Sequence, residues 1–225
     1  YGLGAIKGVG ESAANHIEET RSQKGIFTSI EDFCCKINLS IVNSGTIESL
    51  IASGSFDSIV NESRSTIISN LSELISYGHK KQTDLAAGQN ELFATESDKN
   101  KSLLIENNLH KLKVTNAELK HERKVLGYYL SSHPMQSYQN ELNNMSLKNI
   151  HDINNIILSG NPAKITSTIS GVIIDSRYQK ISKNNYITIY KVDDGTHQIN
   201  ISFFEDKYTK YKNILVEDEI LFFNG

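Results

Sequence analysis

The chain has 225 residues, of which 38% are hydrophobic and 22% are charged, as in a soluble globular protein with one large domain or a few small ones. The formal net charge of −3 argues against a generally basic nucleic-acid binder, so any contact with nucleic acid has to come from local patches. No apolar run approaches the roughly 20 residues of a membrane span and no export signal opens the chain, so we predict a cytoplasmic protein. The chain starts at Tyr1 without a methionine and ends at Gly225 just after a strand-like run, so we expect a piece of a longer protein.

Residues 1–78 carry the pattern of short helices separated by glycines. The capping box Thr28–Glu31 predicts the start of one of these helices, which contains Cys34 and Cys35. Adjacent cysteines form a disulfide only with strain, so we predict a reduced, partly buried pair. Helix ends are predicted at Gly25, Gly54 and Gly78.

The next segment, residues 79–114, is polar and lacks sustained periodicity, which predicts a tether. Within it, Gln89–Phe93 places an amide three and four positions before two large apolar side chains, Leu92 and Phe93. Apolar residues exposed in a polar segment are typical of a docking peptide for another protein. The spacing of Gln89, Leu92 and Phe93 resembles the peptide with which bacterial polymerases and repair proteins hold the sliding clamp, and the alternative is a chance amphipathic pentapeptide.

Residues 115–160 predict a helical connector, which begins at the capping box Thr115–Glu118 and restarts at Pro134. From about Ile165 the period becomes that of β-strands. The candidates are three strands, a helix over residues 206–213 and a fourth strand, with a tight turn at Asp194-Gly195. This is the element order of an OB-fold, so we predict an OB-fold barrel over residues 161–225 whose last strand lies beyond Gly225. The four strand candidates are Thr168–Ile174, Tyr186–Val192, Gln198–Phe204 and Glu219–Phe223.

The segment Gly4–Gly10 has the pattern of the hairpin in a helix-hairpin-helix motif. Glycines let the backbone approach a phosphate closely, the amides that open the next helix point at it, and a lysine adds a charge-assisted contact. An ordinary glycine-rich turn between helices is the alternative. Asn43–Thr46 is a weaker candidate for a second hairpin, and with it residues 1–78 form a tandem helix-hairpin-helix domain. The predicted contacts to a duplex backbone are Lys7, Gly8, Val9 and Gly10.

Residues 176–191 combine cations with tyrosines and contain no acidic residue. In an OB-fold the first two strands and their loop face single-stranded nucleic acid, on which aromatic rings stack while cations follow the phosphates. Strand alternation predicts Tyr186 and Tyr190 outward and Ile187 and Ile189 in the core. The alternative is a solvated basic loop with tyrosines of the barrel wall. The predicted contacts to single-stranded DNA are Arg177, Tyr178, Lys180, Lys183, Tyr186 and Tyr190.

No pattern of catalytic or metal-binding residues is present in the sequence. A nucleotide-binding P-loop and a histidine pair with metal spacing are both missing. Asp193-Asp194 is an acidic pair, but Gly195 follows it directly, which predicts a turn. His121 and His133 are predicted to lie at the surface or at helix ends.

Four stretches give the chain a resemblance to the alpha subunit of bacterial DNA polymerase III, the replicative polymerase. The resemblance implies hairpins that grip the duplex, an internal clamp-binding peptide at Gln89–Phe93 and an OB-fold near the single-stranded template. It also implies further polymerase holoenzyme subunits as partners. The stretches are Tyr1–Gly10, Leu50–Asp57, Glu122–Pro134 and the residues from Gly171 to Gly195.

The same resemblance places the catalytic palm, with aspartates that hold two magnesium ions, before Tyr1. We therefore expect no cofactor and no polymerase activity in this chain alone, within a parent protein that is a DNA-directed DNA polymerase, a nucleotidyltransferase. The fold class implied is multidomain α + β, a helical helix-hairpin-helix domain followed by a truncated OB-fold. Two alternatives stay open: a non-catalytic DNA-binding module of a repair or recombination protein, and an OB-fold region that binds protein.

Overall fold

A computed structural model describes residues 2–87, 114–145, 147–159, 166–181 and 186–225. The chain divides into two compact units, Tyr1–Ser131 and Ser132–Gly225. The first is helical and the second is built on a curled antiparallel sheet of four strands, which confirms the predicted fold class. Among the residues that the structure describes, no helix has the length and apolar character that crossing a bilayer requires.

In its described residues, the first unit, hereafter unit 1, has a short 3-10 helix and six α-helices. Five of the α-helices precede residue 88 and the sixth follows residue 113, and this last helix was predicted as the start of the connector. The 3-10 helix is Leu3–Ala5, and the α-helices are α1 (Glu11–Lys24), α2 (Ile30–Lys36), α3 (Ser44–Ala52), α4 (Arg64–Ser69), α5 (Leu71–Ala86) and α6 (Asn116–Leu126).

Side-chain caps fix where these helices begin. The Thr115–Glu118 capping box of α6 is confirmed, with both of its reciprocal bonds formed. The predicted start of α2 is wrong by one residue, because Ser29 rather than Thr28 is the cap and its Oγ accepts from the Asp32 N–H at 3.1 Å. Thr28 lies just outside the helix and donates its own N–H to the Asp32 carboxylate at 3.0 Å.

The core of unit 1 forms around Phe33, which is 2% exposed. Its ring meets the rings of Phe27 and Phe56 edge-on, at centroid distances of 4.9 and 5.0 Å. Fully buried aliphatic side chains from α2, α3, α4 and α5 surround it, so each short helix is stabilised by the apolar face that it contributes. They are Ile30, Ile47, Ile51, Ile67 and Leu74.

The predicted helix end at Gly78 is wrong, because α5 continues through this residue to Ala86. A Cβ at Gly78 would lie 2.7 Å from the Cys34 carbonyl oxygen, so the glycine is needed where α5 crosses α2. One turn later the Gln82 amide donates to the carbonyls of Cys34 and Ile37, at 2.9 and 2.7 Å, which satisfies the end of α2. The glycine marks a close contact between helices rather than a stop.

Cys34 and Cys35 are both free, as predicted. Cys34 is fully buried and Cys35 is half-buried. Burial, with a smaller contribution from Cys35, raises the pKa of the Cys34 thiol to about 12, so it stays protonated and inert at neutral pH. This pair is therefore part of the packing between α2 and α5.

The second unit, hereafter unit 2, carries an antiparallel sheet in the order β3-β2-β1-β4. The long strand β1 pairs with β4 through its first half and with β2 through its second half, and the register shifts between Ile173 and Asp175. A shift of this kind bends a strand and turns a flat sheet into part of a barrel. The elements are a 3-10 helix (Pro134–Tyr138), α7 (Gln139–Asn143), α8 (Ile150–Leu158), β1 (Thr168–Lys180), β2 (Tyr186–Asp193), β3 (Gln198–Phe204), α9 (Glu205–Tyr211) and β4 (Ile220–Asn224).

The core of unit 2 lies on one face of this sheet, under α8 and α9. It is built on Ile150 of α8, Ile173 of β1 and Val192 of β2, each of which is fully buried. The predicted Asp194-Gly195 turn joins β2 to β3, and Gly195 adopts a left-handed conformation with φ of +85°. The same turn supports α8, because the Asp194 carboxylate accepts the Ile150 N–H at 2.7 Å.

Candidate nucleic-acid interface

The predicted hairpin is a tight turn between the 3-10 helix and α1. The Val9 N–H donates to the Ile6 carbonyl at 3.0 Å, which closes the turn. The side chains of Ile6 and Val9 are buried in the core, whereas Lys7 and Gly8 are exposed at the tip. The apolar pair therefore anchors the hairpin, and the two residues suited to a phosphate face solvent.

Gly8 is the residue that this geometry requires. Its φ of +95° lies in the left-handed region that favours glycine, and a Cβ would overlap the Ser49 hydroxyl of α3. On the same side, the Thr46 hydroxyl donates to the Gly8 carbonyl at 3.2 Å. The first hairpin is thus seated on the N-terminal half of α3, the helix that follows the proposed second hairpin.

The two hairpin candidates differ in how the next helix is capped. Gly10 caps α1 without a side chain, so no side-chain bond from the cap residue occupies the N–H groups of the first turn. In α3 the Asn43 side chain accepts the Thr46 N–H at 3.0 Å. The first hairpin therefore leaves its amides available to an anion. In Asn43–Thr46, by contrast, the Thr46 amide is already hydrogen-bonded to the Asn43 side chain. Glu11 opens α1, so the positive charge at the first hairpin has to come from Lys7.

A second cationic element adjoins the first hairpin, and the sequence did not predict it. The Lys7 N–H donates to the Val125 carbonyl at 2.9 Å, which holds the hairpin against the last turn of α6. That turn also carries Arg123 and Lys124. The Arg123 guanidinium lies over the Tyr129 ring at 5.9 Å, and Lys124 is exposed. Nothing in the sequence alone indicates that residues 7 and 125 lie together.

A buried ion pair holds α6 in this position. Arg64 of α4 is 6% exposed and Glu122 of α6 is 0% exposed, and their Nη1 and Oε2 atoms lie 2.7 Å apart. Arg64 also forms a bidentate pair with Asp57, with contacts of 3.0 and 2.5 Å, and donates to the Ala52 carbonyl at 3.2 Å. The charge of Arg64 is therefore paired, as burial requires.

The Glu122 carboxylate also folds back the segment that follows α6. Gly127 ends the helix in the left-handed conformation, with φ of +88°. Glu122 Oε1 then accepts the N–H groups of Leu130 and Ser131 at 2.6 and 2.8 Å, and Oε2 accepts the Ser131 hydroxyl. The contacts give Glu122, Gly127 and Ser131 a structural role in the stretch Glu122–Pro134.

These bonds shift the acidity of Glu122. Burial by itself raises the pKa of the carboxyl, but the hydrogen bonds from Ser131, Arg64 and Leu130 outweigh it and hold the pKa below its ordinary value. The pKa of Glu118, one turn earlier, is also below its ordinary value, because hydrogen bonds from Thr115 and Ser65 outweigh the effect of burial. Both carboxylates of α6 are therefore ionised at neutral pH.

In unit 2, three of the predicted residues for single-stranded DNA form one surface on the β1–β2 ribbon. Tyr178 and Tyr186 stack with centroids 4.9 Å apart and planes 10° from parallel. The Lys180 ammonium lies 5.7 Å from the centre of the Tyr186 ring, and Tyr178 is 64% exposed. An aromatic stack beside a cation can receive a base and its phosphate. Lys183 lies outside the described residues.

The predicted faces of β2 are wrong. Tyr190 is 5% exposed and packs edge-on against Phe203 in the core, whereas Ile187 and Ile189 lie on the other face and are partly exposed. Val192 decides this outcome, because it is fully buried and a period of two puts Tyr190 on its side of the sheet. Tyr190 is thus a core residue and does not belong to the interface.

Strand alternation places Arg177 on the opposite face of the sheet from the tyrosine stack. It pairs with Ile189 across the strands and lines a shallow polar depression on the outer face of the sheet. Lys191 and Asn200 share this depression, together with the carboxylate of Asp175. The predicted single-strand set therefore occupies two faces rather than one.

The acidic pair Asp193-Asp194 is structural, as predicted. Asp193 Oδ1 lies 3.4 Å from His133 Nε2, and its other oxygen accepts from the Gln198 amide at 2.8 Å. Burial raises the pKa of Asp193, but the bonds from His133 and Gln198 outweigh it and lower the pKa below its ordinary value. Within the described ranges, no group of three or more histidine, cysteine or acidic side chains is arranged to hold a metal ion.

The predicted clamp-binding residues Gln89, Leu92 and Phe93 lie outside the described residues. Their assignment stays a prediction from the sequence. The described chain stops at residue 87, just after α5, and resumes at residue 114, just before α6.

Comparison with known proteins agrees with this geometry. A family model for the helix-hairpin-helix motif matches residues 1–67, the part of unit 1 that contains both hairpin candidates. The chain is 32% identical to the DNA polymerase III subunit alpha of Pasteurella multocida over 225 residues, 30% to that of Haemophilus influenzae over 227, and 28% to that of Escherichia coli strain K12 over 229. Each match covers 100% of this chain and 19% of the relative.

The fold and the hairpin thus define a helix-hairpin-helix protein with a partial OB-type barrel. As the resemblance predicted, the chain matches bacterial DNA polymerase III alpha subunits along its full length, and it spans about a fifth of the length of the curated relatives it matches.

Replacement of the buried carboxylate tests the ion-pair cluster. At neutral pH, Glu122→Gln is expected to lower the free energy of unfolding by about 3 kcal/mol, the lower end of the range for a broken buried pair, because Asp57 still faces Arg64. The pKa of Glu122 is lower in the folded chain than its ordinary value of 4.5, so its contribution is present above that pH and is lost as pH falls below it.

Urea unfolding of the 225-residue chain and of Glu122→Gln at several pH values measures both effects. The difference between the two proteins should shrink as the solution is acidified. Glu19→Gln, at an exposed position of α1, is the control and should change stability little. A difference below about 1 kcal/mol at neutral pH, as for a surface pair, would contradict the assignment.

Proposed function

We propose that the chain is the DNA-binding and sliding-clamp-binding region of a replicative DNA polymerase. In this proposal it holds primed DNA and the clamp while a catalytic centre elsewhere in the parent protein extends the primer. The magnesium ions of that reaction would belong to the catalytic centre and not to this chain. The observation that carries the proposal is the first hairpin, with its exposed Lys7-Gly8 tip and uncapped α1, in a chain related to polymerase III alpha subunits over its full length.

The hairpin is suited to the backbone of a duplex. The exposed glycine allows a phosphate to approach the main chain, the amides at the start of α1 face it, and Lys7 adds the positive charge. Lys124 is exposed and precedes Val125, whose carbonyl accepts the Lys7 N–H, so it would add a second cation near the hairpin. Contacts of this kind position a protein on DNA without reading the base sequence, as a polymerase needs.

The β1–β2 ribbon is suited to an unpaired strand. Tyr178 and Tyr186 already stack on each other, so the outer face of Tyr178 offers a flat surface for one more base. Lys180 lies beside the stack and would contact the phosphate. One stacked base contributes about 1–3 kcal/mol, which favours the single-stranded template over a duplex at this place.

The clamp contact is proposed from sequence alone. Burial of Leu92 and Phe93 in an apolar groove would contribute about 1.5–3 kcal/mol for each side chain, and ordering of the surrounding polar segment opposes it. Micromolar affinity needs about −8 kcal/mol, so the peptide alone would bind weakly. Simultaneous contact of the chain with DNA and clamp would supply the rest through avidity. Further subunits of the polymerase assembly are proposed partners because the chain is similar to polymerase III alpha subunits over its full length.

A charge reversal at the hairpin tests the duplex contact. Lys7→Glu is expected to weaken binding of a labelled primed duplex for every base sequence, and to lower the salt dependence by about one released counterion. Fluorescence anisotropy at several salt concentrations measures both quantities. Lys80→Glu, at an exposed position of α5, makes the same charge change and should have a smaller effect. Equal losses in the two variants would contradict a specific role of the hairpin.

The same titration with a single-stranded oligonucleotide tests the ribbon. Tyr178→Ala is expected to cost about 1–3 kcal/mol, because one stacking surface is lost. Tyr138→Ala, which removes another exposed tyrosine of unit 2, is the matched control. If the two variants bind single strands equally well, the ribbon is not the single-strand surface.

A pull-down on a sliding clamp tests the peptide. The double variant Leu92→Ala/Phe93→Ala should lose clamp binding, both with and without primed DNA. The control Leu103→Ala/Leu104→Ala removes another adjacent apolar pair from the same polar segment, but without the glutamine spacing, and should bind normally. Clamp binding that survives in the first variant, or is lost equally in both, would refute the assignment of Gln89–Phe93.

A further inference from the structure

The helix α6 separates its charged residues between two sides. It contains two glutamates and three basic residues, so it is nearly neutral as read along the chain. Glu118 and Glu122 are 5% and 0% exposed, and both bond inward to residues of α4. Lys124 is exposed, and the other two basic residues are half-buried. The helix therefore presents mainly positive charge to solvent, on a surface that we call the outer face of α6: Lys120, Arg123 and Lys124.

Helical geometry accounts for this separation. Leu119, Glu122 and Leu126 follow the spacing of one helical face, and all three are buried. At about 100° per residue, Lys124 comes close to the opposite side of the helix. Lys120 lies one turn earlier, about 6 Å along the axis. The lysines therefore lie on the side of α6 that is turned away from the core of unit 1.

The positive charge of the outer face is not cancelled by the pairing inside. Glu122 is neutralised by Arg64, whose Nη1 atom lies 2.7 Å from Glu122 Oε2. The Arg123 guanidinium lies over the Tyr129 ring at 5.9 Å, and a contact with a neutral ring leaves the charge of an arginine intact. Lys124 forms no ion pair with any residue that the structure describes. Lys124 is therefore the residue best placed to meet an anion.

The outer face begins where the first hairpin meets α6. The Val125 carbonyl belongs to the last turn of the helix, where carbonyl groups have no partner within the helix. It accepts the Lys7 N–H at 2.9 Å, so the hairpin supplies the missing donor. Lys124 directly precedes Val125 in the chain. The backbone amides of the hairpin and the cations of α6 thus belong to one rigid assembly.

We propose that the outer face of α6 is a second contact for the backbone of the duplex, with Lys124 bound to one phosphate and Arg123 to a neighbouring one. This inference rests on the proposed function of the first hairpin and extends it, because unit 1 then holds the duplex at two places. A duplex fits better than an acidic protein, since the face continues from a hairpin whose glycine and free amides suit a phosphate.

A simpler role for Lys124 is to stabilise the C-terminal end of α6 through the helix dipole. Titration of the 225-residue chain with a labelled primed duplex separates the two roles. Lys124→Glu is expected to weaken binding about tenfold for every base sequence and to lower the salt dependence by about one counterion, and Lys7→Glu/Lys124→Glu by about two. Arg21→Glu makes the same charge reversal in the last turn of α1, at an exposed position, and should have a smaller effect.

The hairpin and the outer face can fail separately in this experiment. If Lys124→Glu loses no more affinity than Arg21→Glu, the contact at α6 is refuted, and a loss in Lys7→Glu alone still supports the hairpin. If Lys124→Glu loses affinity and Lys7→Glu does not, the contact at α6 stands and the role proposed for the hairpin is wrong.

A measurement on the unmodified chain covers the case in which a variant unfolds. Primed duplex should protect the Lys124 amine from acetylation by acetic anhydride, while Lys80 of α5 stays reactive. Equal acetylation of Lys124 with and without duplex would overturn the proposal. Protection by polyglutamate as strong as that by duplex would also overturn it, because the face would then be a surface for acidic partners in general.

Discussion

A buried guanidinium that has to be neutralised is the constraint on which unit 1 depends. Arg64 lies under the surface of the helical unit, where an unpaired charge would cost several kcal/mol. Its partners come from three separate parts of the chain: Asp57 after α3, Glu122 on α6 and Ser131 beyond α6. Each partner is short and can reach the guanidinium only when its segment is in place. The pairing is thus a condition for assembling the unit, in addition to its apolar core.

The same cluster determines how the hairpin is presented. Glu122 holds α6 in place, and the Val125 carbonyl of α6 accepts the Lys7 N–H. The cluster therefore also fixes the position of the hairpin tip. On its other side the hairpin rests on α3 through Thr46 and the space beside Ser49. A rigid main chain loses little entropy when it binds a phosphate, which is the property that a non-specific grip on DNA requires. The second hairpin candidate, Asn43–Thr46, supports the first hairpin through the Thr46 hydroxyl more than it competes with it for a phosphate.

Local patterns predicted the parts of this structure whose causes are local. Capping boxes, turn glycines and strand periods gave the fold class, the Thr115 cap and the Asp194-Gly195 turn, because each depends on a few consecutive residues. The same reasoning failed where long-range contacts determine the structure. Gly78 resembles a helix stop, but its neighbour is Cys34 on another helix. Tyr190 resembles a surface tyrosine, but Val192 sets the buried face of β2. The cluster around Arg64 joins residues 58 and 67 positions apart, and no periodicity indicates it.

A double-mutant cycle on the buried pair is the most direct test of this account. Urea unfolding of the chain, of Arg64→Leu, of Glu122→Leu and of the double variant gives the coupling free energy between the two side chains. We predict a coupling of about 2–3 kcal/mol, because the Arg64–Glu122 contact is buried, whereas the Asp57 carboxylate that Arg64 keeps in Glu122→Leu is half-exposed. A coupling near zero would contradict the account, since the pair would then contribute no more than an exposed salt bridge and would not organise the helices that carry the hairpin.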